Sequence, residues 1–578
     1  MDKWVIDCDN NVKVVTLRSN TVGIADDAFS YCSSLTSITI PAGVTSISHR
    51  AFYDCDSLTS ITIPANVTHI GSYAFSGCTK LIEKENGVSY VDKWAIDYDQ
   101  NITSVTLRPN TVGIGDSAFS GCSSLTGITI PASVTGIGSY AFSYCSSLTS
   151  INIPANVTSI GRGAFYNCDS LTSITIPASV TSIGEKAFED CSSLTSVTFA
   201  EGSQCTSIGG AAFYNCSSLT SVTIPASVTS IGDRAFCWCS SLTSITIPAS
   251  VTSIGDRAFY DCDSLTSINI PEGVKSIGFQ AFYNCSSLTS ITIPASVTSI
   301  GDRAFGCSSL TAVYITDIAA WCNISFGNEY ANPLYYAKNL YLNGTLVTNL
   351  VIPETVTSIG DYAFSGCSSL TGITIPASVT SIGFSAFSYC SSLTAVYITD
   401  IAAWCNITFS KFSSNPLDYA KKLYLNSKLV TDLVIPTSVT SIGNYAFWNC
   451  SSLKTITFAE GSQCTNIGFH AFYYCSSLTS INIPASVTSI GEYAFQYCKS
   501  LRTVTFAKGS QCTSIGMFAF GNCPSLTSVT FEITSGWWRS TSSTATSGTS
   551  VSATDLANPT TAATYLRSTY RNYYWKRG

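Results

Sequence analysis

Apolar and polar residues alternate over short stretches that recur along the chain, and Leu125–Cys145 shows the pattern. Ile128 and Ile130 flank Thr129, which is the alternation expected of a strand with one buried face. Pro131 follows directly and ends the strand, because proline has no N–H to donate to a sheet ladder. The pattern therefore predicts one short strand at the beginning of each such stretch.

The second half of the stretch has a different apolar pattern. Val134 and Ile137 are expected to point inward across a turn, and Gly138 permits a tight bend there. Ala141 and Phe142 close the stretch together with its cysteine, and we expect them to lie on a short helical turn. One stretch cannot bury these side chains alone, so we expect neighbouring copies to stack on one another.

The motif Ala-Phe-x-x-Cys marks these copies, and a shortened copy ends at Cys307. The full-length motif ends at Cys32, Cys55, Cys78, Cys122, Cys145, Cys168, Cys191, Cys216, Cys239, Cys262, Cys285, Cys367, Cys390, Cys450, Cys475, Cys498 and Cys523. The chain is therefore predicted to be a repeat solenoid over residues 1–531, with about eighteen repeats of about 23 residues.

The repeat Ser-Leu-Thr-Ser-Ile-Thr-Ile-Pro-Ala-Ser-Val-Thr-Ser-Ile-Gly-x-x-Ala-Phe-x-x-Cys stands almost intact at residues 217–239 and 286–307. It resembles the BspA-like leucine-rich repeats of surface proteins from bacteria and some protozoa, and the resemblance spans residues 1–531. It implies a right-handed solenoid, with a parallel β-sheet on one face and short turns or helical turns on the other. It also implies a cell-surface or secreted protein that adheres to host proteins or to other cells, without enzymatic activity.

Two repeats carry matching insertions, around residues 315–346 and 398–429. The tripeptide Trp-Cys-Asn at 321–323 recurs at 404–406. Near the end of the first insertion, an Asn-Gly pair at Asn343 predicts a small hairpin. We expect both insertions to project from one side of the solenoid.

The repeats end near Phe531, and the composition then changes. Residues 532–554 are rich in Ser and Thr and are predicted to be a linker. Residues 555–578 are aromatic and basic, and an Asn-Pro pair at Asn558 is typical of a helix start. We expect this segment to cap the last repeat, since solenoids need such a cap; the alternative is an anchor or tail.

Charged residues make up only 11% of the chain, and the net charge is −7. No nucleic-acid partner is expected, because such binding needs a basic face. No apolar stretch is long enough to insert into a membrane, and the first residues do not show the pattern expected of a signal peptide. Residues 1–32 match residues 91–122 from a point inside a repeat, so we expect the N-terminus to be truncated.

Cysteine and histidine give little support to catalysis or metal binding. Most of the 25 cysteines occupy one slot per repeat, so we expect core thiols rather than a disulfide framework or metal site. Histidines number three, and His49 and His69 fall on different repeat positions, so we expect them to lie apart. Nucleophile and phosphate-loop motifs are missing. The chain is therefore predicted to be no enzyme, without cofactor or metal.

Variation between repeats concentrates in the two residues after Ile-Gly and the two after Ala-Phe, where aromatic side chains recur. Tyr and Trp often anchor protein–protein contacts. The candidate binding residues are Tyr144, Trp238, Tyr389, Trp448 and Tyr474. The alternative is that these rings cover the seams between repeats.

The sequence therefore predicts a non-catalytic, protein-binding or adhesion solenoid at the cell surface or outside the cell. Its expected partners are extracellular-matrix or cell-surface proteins. The alternative is a structural spacer that presents another domain or the C-terminal tail.

Overall fold

The structure is a computed structural model that describes residues 4–9 and 11–578. The chain forms two compact units, Met1–Leu310 and Thr311–Gly578. The sequence predicted a single solenoid domain over residues 1–531. The division between the units falls at the start of the first insertion, where the regular repeat is interrupted.

Each regular repeat contributes two short strands to two separate parallel ladders. The first strand of one repeat, Ser173–Ile176, pairs in register with Ser196–Phe199 of the next repeat. Its second strand, Ser182–Ile183, pairs with Ser207–Ile208. The predicted solenoid of parallel strands is confirmed. The second ladder was not predicted, because the sequence indicated a turn at these residues.

In the N-terminal unit, both ladders recur from repeat to repeat. The first strands are Val14–Thr16, Ser37–Thr39, Ser60–Ile61, Ser104–Thr106, Gly127–Thr129, Ser173–Ile176, Ser196–Phe199, Ser221–Thr223, Ser244–Thr246 and Ser290–Thr292. The second strands are Trp4–Val5, Gly23–Ile24, Ser46–Ile47, His69–Ile70, Gly113–Ile114, Gly136–Ile137, Ser159–Ile160, Ser182–Ile183, Ser207–Ile208, Ser230–Ile231, Ser253–Ile254, Ser276–Ile277 and Ser299–Ile300. An antiparallel meander interrupts this ladder with the strands Glu83–Glu85, Val88–Val91 and Trp94–Tyr98.

Phenylalanine rings and cysteine thiols fill the centre of the repeats. The rings of Phe142 and Phe165 stack with centroids 5.4 Å apart and planes 9° apart, and equivalent stacks recur along each unit. The Cys145 thiol donates a hydrogen bond to the carbonyl of Phe119 in the preceding repeat, at 3.2 Å. All 25 cysteines are free, and all except Cys8 are buried. The prediction of core thiols is confirmed.

The residues from the repeat glycine to the repeat cysteine, here called the turn segment, form a third ladder between repeats. The N–H of Tyr140 donates to the carbonyl of Arg162 at 2.7 Å, and the N–H of Phe142 donates to that of Ala164 at 2.8 Å. Within the segment, the N–H of Cys145 donates to the carbonyl of Phe142, three residues back. The segment is thus a pair of tight turns, hydrogen-bonded to its neighbours like a strand.

The glycine that opens the turn segment lies against the backbone of the preceding repeat. A Cβ atom on Gly161 would lie 2.6 Å from the carbonyl carbon of Gly138 and 2.6 Å from the amide nitrogen of Ser139. A side chain on Gly161 would therefore require the backbones of these two repeats to shift.

The C-terminal unit continues both kinds of strand and adds short helices. Its first strands, with two short hairpin partners, are Ala312–Ile315, Leu340–Leu342, Thr345–Leu346, Asn349–Val351, Gly372–Ile375, Ala395–Ile398, Leu423–Leu425, Lys428–Leu429, Asp432–Ile435, Thr455–Phe458, Ser480–Ile483, Thr503–Phe506 and Ser528–Thr530. Its second strands are Ser325–Phe326, Ser358–Ile359, Ser381–Ile382, Thr408–Phe409, Ser441–Ile442, Asn466–Ile467, Ser489–Ile490 and Ser514–Ile515. The α-helices are Ile318–Cys322, Leu334–Ala337, Ile401–Cys405, Leu417–Ala420, Ala553–Ala557 and Pro559–Thr564, the 3₁₀ turns are Glu329–Ala331 and Phe412–Ser414, and a π-helical turn spans Tyr565–Thr569.

Each insertion replaces the turn segment of one repeat. In regular repeats, the carbonyl of the alanine before phenylalanine accepts a backbone N–H from the preceding repeat. The carbonyl of Ala363 instead accepts from Nε1 of Trp321 at 2.7 Å and from Nδ2 of Asn332 at 3.0 Å, and both side chains are buried. Polar and aromatic side chains of the insertions therefore complete the stack, and the projection of the insertions from one side stays a prediction. The second insertion repeats these contacts with Trp404, Asn415 and Ala446.

The C-terminal residues pack on the last repeat. The strand Tyr574–Arg577 pairs antiparallel with Ser514–Ile515 and with Trp537–Ser540. Thr549–Ser550 extends the same sheet. The range 532–554, expected to be a linker, therefore contains two strands. Thr and Trp are common in strands, so the composition that indicated a linker is equally compatible with a sheet.

Candidate binding surface

Four residues of each turn segment vary between repeats. We number them turn positions 1 and 2, which follow Ile-Gly, and turn positions 3 and 4, which follow Ala-Phe. In one repeat, positions 2 and 4 are Tyr140 and Tyr144, whose φ angles of 55° and 59° lie in the left-handed region. This conformation costs a residue other than glycine about 1–2 kcal/mol, and Asn and Asp adopt it more readily than most residues do.

Turn position 4 holds two kinds of residue. In most full-length repeats it is Gly, Asn or Asp, which suit the left-handed backbone. In the others it is an aromatic residue, and these are Tyr31, Tyr144, Trp238, Tyr389, Tyr474 and Tyr497. Backbone preference does not favour an aromatic side chain here, so some other property of the ring has to account for it.

Four of the five candidate residues occupy turn position 4 and are substantially exposed. Their exposed fractions are 50% for Tyr144, 46% for Trp238, 52% for Tyr389 and 37% for Tyr474. Each also touches at least one neighbouring ring; Trp238, for example, stacks on Tyr214 with centroids 5.9 Å apart. Each ring therefore covers part of a seam between repeats and keeps a large remaining surface open to solvent.

Trp448, the fifth candidate, occupies turn position 3 and has a different environment. Its Nε1 donates a hydrogen bond to Oδ1 of Asp418 at 2.8 Å. Its indole also stacks on Phe412, which like Asp418 belongs to the second insertion. Trp448 is therefore partly buried and anchors the insertion to the turn segment, so it offers less free surface than the sequence analysis expected.

Consecutive repeats of the C-terminal unit bring many rings together. At turn position 2, successive ring centroids from Tyr445 through His470 and Tyr493 to Phe518 are 5.6, 4.7 and 5.4 Å apart. At turn position 4, the Tyr474 ring stacks on the ring of the next repeat at 4.7 Å. We call the whole group the aromatic surface, and its members are Tyr445, Trp448, His470, Tyr473, Tyr474, Tyr493, Tyr497 and Phe518.

His470 lies in the middle of the aromatic surface. Burial lowers its pKa to about 4, so the imidazole is neutral at pH 7. Its Nδ1 atom is buried without a hydrogen-bond partner. His470 was not among the predicted binding residues, because a histidine was expected only to act as a catalyst or a metal ligand. The signal that could have found it is the column of aromatic residues at turn position 2.

A groove of about 890 Å³ opens on the turn segments of the N-terminal unit. Its floor is formed where turn positions 1 and 2 are Gly210 and Ala211, in contrast to the larger residues of neighbouring repeats. Trp238, Tyr214 and Tyr260 contribute aromatic walls. Trp238 is therefore the one sequence-predicted candidate that borders this cavity.

The charged residues of the groove differ in how they are paired. Glu185 forms an ion pair with Arg162 at 2.6 Å, and Glu189 forms one with Lys186 at 3.1 Å. Arg234 is exposed and makes no ion pair among the residues that the structure describes. The groove thus offers an unpaired guanidinium beside an aromatic wall, a combination suited to contacts with another protein.

Asp116 lies beside the side chain of His69 and within electrostatic range of His49. Nε2 of His69 lies 3.4 Å from its carboxylate, and the charge of His49 also acts on it. Burial is the larger effect and raises the pKa of Asp116. The sequence predicted that the two histidines lie apart, and this stays a prediction for their side chains. The strands within 83–98 leave the stack, however, and the N–H of Asp116 bonds directly to the carbonyl of Ile70.

This grouping does not amount to a metal site. Among residues 4–9 and 11–578, no cluster of three or more His, Cys, Asp or Glu side chains is arranged to hold a metal ion. In the same described part of the chain, no helix combines the length and the apolar character needed to cross a bilayer.

The repeat pattern and the two strand ladders agree with a match to one family model. The model of the BspA type leucine rich repeat region matches residues 7–126, 112–239, 206–331, 337–420 and 418–536. The chain belongs to the BspA-type leucine-rich-repeat family. In this family member, the matched ranges include all five candidate residues.

Several solved structures are similar to this BspA-type chain. A leucine rich cell surface protein from Faecalibacterium prausnitzii is 26% identical, with a TM-score of 0.31 over 74% of this chain and 94% of that one. A leucine-rich repeat protein from Bacteroides ovatus is 26% identical, with a TM-score of 0.28 over 77% and 91%. A leucine-rich repeat protein from T. pallidum is 28% identical, with a TM-score of 0.26 over 34% and 82%. No curated protein sequence matches this chain.

Proposed function

We propose that this BspA-type solenoid is a non-catalytic, protein-binding or adhesion surface that acts at the cell surface or outside the cell. Its partners are extracellular-matrix or cell-surface proteins. The observation that carries the proposal is the choice of residues at turn position 4. Tyr or Trp stands there in several repeats, although the left-handed backbone favours Gly, Asn or Asp.

The exposed rings suit recognition of a protein. Tyr and Trp supply large contact areas at low cost in side-chain entropy and are enriched among the residues that dominate binding energy. Trp238 and Tyr474 lie beside further rings, so a partner would meet clustered rather than isolated aromatic side chains. The net charge of −7 favours a protein partner over nucleic acid.

The spacer alternative is less well supported where it assigns the activity to the C-terminal tail. Trp575 of that segment is 1% exposed, and Arg567 donates hydrogen bonds to the carbonyls of Pro524 and Leu526 in the last repeat. We therefore propose that residues 555–578 act as a cap. A cap covers the open end of the last repeat. A free tail, in contrast, would carry an activity of its own.

The proposal is tested by a binding screen with the full chain. The chain is immobilised and exposed to a panel of purified extracellular-matrix and cell-surface proteins, and saturable binding is measured by interferometry. We expect at least one partner to bind. A variant in which Tyr144, Trp238, Tyr389 and Tyr474 are all replaced by Asn should bind at least tenfold more weakly, because aromatic anchors of an interface are lost.

A matched control separates the turn segments from the first strands. Val351 and Val434 are exposed apolar residues on first strands, with exposed fractions of 62% and 55%. The double variant Val351→Thr/Val434→Thr should bind like the unmodified chain. No binding to any member of the panel, or equal binding by the fourfold variant, would contradict the proposal.

A further inference from the structure

A pocket of about 550 Å³ lies where the C-terminal segment meets the last repeats of the C-terminal unit. Tyr497, Lys499 and Asn522 line it from the repeats, and Arg567 and Ser568 line it from the C-terminal segment. Two of these side chains are cationic, and none of the residues lining the pocket is Asp or Glu. In a chain with a net charge of −7, this is a local reversal of charge.

Lys499 departs from the repeat pattern. It directly follows the repeat cysteine, a position that is Ser or Asp in most other repeats, as at Ser476 and Asp263. Its ammonium group makes no hydrogen bond or ion pair with a described residue and lies 6.0 Å from the centre of the Tyr474 ring. The lysine therefore adds a charge that the stacking of the repeats does not use.

Arg567 supplies the second charge and is held in place. Its Nη1 donates to the carbonyl of Pro524 at 3.2 Å and to that of Leu526 at 2.9 Å. The Nε and Nη2 groups take no part in these bonds. A guanidinium fixed by one nitrogen can present its remaining donors to an anion without a further loss of side-chain freedom.

The pocket also adjoins the aromatic surface. Tyr497 belongs to both, and its ring stacks on Tyr474 with centroids 4.7 Å apart. Behind the pocket, Arg571 donates from Nη1 to Oδ1 of Asn522 at 2.7 Å, which adds a third positive charge nearby. A ligand that crossed from the aromatic surface into the pocket would thus pass from stacked rings to cations.

We propose that this pocket binds carboxylate side chains in an acidic segment of the protein partner, while the aromatic surface takes the partner's apolar side chains. The inference rests on the proposed protein-binding function and adds the chemistry of the partner. Lys499 and the free donors of Arg567 form charge-assisted hydrogen bonds with Asp or Glu of that segment. Tyr474 and Tyr497 form the adjoining apolar contact.

The experiment uses the full chain and a hexaglutamate peptide as the probe, with binding measured by calorimetry at low salt. We expect the peptide to bind and the affinity to fall as salt is added, because exposed charges are screened. Lys499→Glu should weaken binding about tenfold or more, the change expected when a charge-assisted hydrogen bond is lost. Lys508→Glu changes an exposed lysine outside the pocket by the same charge and should bind like the unmodified chain.

Further arms identify the source of the anion and guard against misfolding. Arg567→Gln should also weaken binding, and its thermal midpoint is compared with that of the unmodified chain because Arg567 also holds the C-terminal segment. Failure of hexaglutamate to bind, or equal binding by Lys499→Glu, would overturn the inference. Inorganic sulfate binding as tightly as the peptide would also overturn it. The inference and the proposed function can fail separately. If the hexaglutamate test fails but the fourfold Asn variant still binds its protein partner more weakly than the unmodified chain, the proposed function stands and only the inference is wrong.

Discussion

The indole of Trp448 donates a hydrogen bond from Nε1 to Oδ1 of Asp418 at 2.8 Å. The bond joins the helix Leu417–Ala420 of the second insertion to the turn segment that ends at Cys450. Burial raises the pKa of Asp418, and this hydrogen bond acts in the opposite direction. Trp448 is therefore a structural anchor as well as a member of the aromatic surface.

Trp448→Phe keeps a ring in the stack but removes the hydrogen bond to Asp418. We expect the free energy of local opening around residues 417–420 to fall by about 1–3 kcal/mol, because a partly buried carboxylate loses its donor. Hydrogen-exchange mass spectrometry of the corresponding peptides measures this change. Equal protection in both proteins would show that the bond does not stabilise the insertion.

Trp238→Asn should separate binding from stability. The φ angle of Trp238 is 64°, a conformation that Asn adopts more readily than Trp. We therefore expect the thermal midpoint to stay the same or rise, whereas affinity for a protein partner falls. A marked loss of stability without a loss of affinity would mean that this ring serves only to cover the seam beside Tyr214.

Ala211→Tyr tests the groove of the N-terminal unit. The φ angle of Ala211 is 54°, close to the 55° of Tyr140 at the same turn position, so the backbone accepts tyrosine there. We expect an unchanged thermal midpoint and weaker binding of any partner that enters the groove. Gly202→Ala lies outside the groove but has a φ of 74°, so it shows what strain alone does to stability. Unchanged partner affinity in Ala211→Tyr would exclude the groove from the interface.

His470 makes the stability of the C-terminal unit depend on pH. Its pKa is lowered to about 4 in the folded chain, against an ordinary value of about 6.5. Between these values the unfolded chain binds more protons, so the folded state loses stability as the pH falls from about 6.5 towards 4. His470→Tyr installs the residue of neighbouring repeats at this position. We measure the thermal midpoint of His470→Tyr minus that of the unmodified chain, and we expect this difference to be larger at pH 5 than at pH 7. The same difference at both pH values would contradict this.

Asn332 and Asn415 offer a matched pair of tests, one in each insertion. Nδ2 of Asn332 donates to the carbonyls of Tyr362 and Ala363. Both carbonyls keep another donor in Asn332→Leu, but the buried N–H of Leu334 loses its acceptor, Oδ1 of Asn332. Leaving that buried group unsatisfied costs about 1–3 kcal/mol. Asn415→Leu should lower the thermal midpoint by a similar amount, because its contacts are the same. Strongly unequal effects would show that the two insertions are not equivalent.

The repeat period, the first strands and the buried thiols were predictable because they depend on residues that recur in nearly every copy. The second strand was not, because Ser182–Ile183 is only two residues long and gives no alternation to detect. The roles of Trp321 and Asn332 in the insertions also escaped prediction. Their partner is a backbone carbonyl, and every residue has one, so the sequence does not indicate which carbonyl they bind.

The candidate site was predictable in part. Variation between repeats predicts the turn segments and Trp238 as binding residues, and this stays a prediction. The partial burial of Trp448 could not be predicted, because its partner Asp418 lies thirty residues earlier in the chain. The left-handed backbone at turn position 4 could have been inferred from its Gly, Asn and Asp residues. Tyr and Trp by themselves carry no such signal, so the conflict between side chain and backbone emerged only from the structure.

We propose that aromatic side chains on the turn segments contact a protein partner. Hydroxyl-radical footprinting of the full chain, with and without a partner from the binding screen, tests it most directly. We predict that the partner protects Tyr or Trp residues at turn position 4 from oxidation, with Tyr474 and Tyr497 among them. Protection confined to first-strand residues such as Val351 and Val434, with the turn segments unchanged, would exclude the turn segments from the interface.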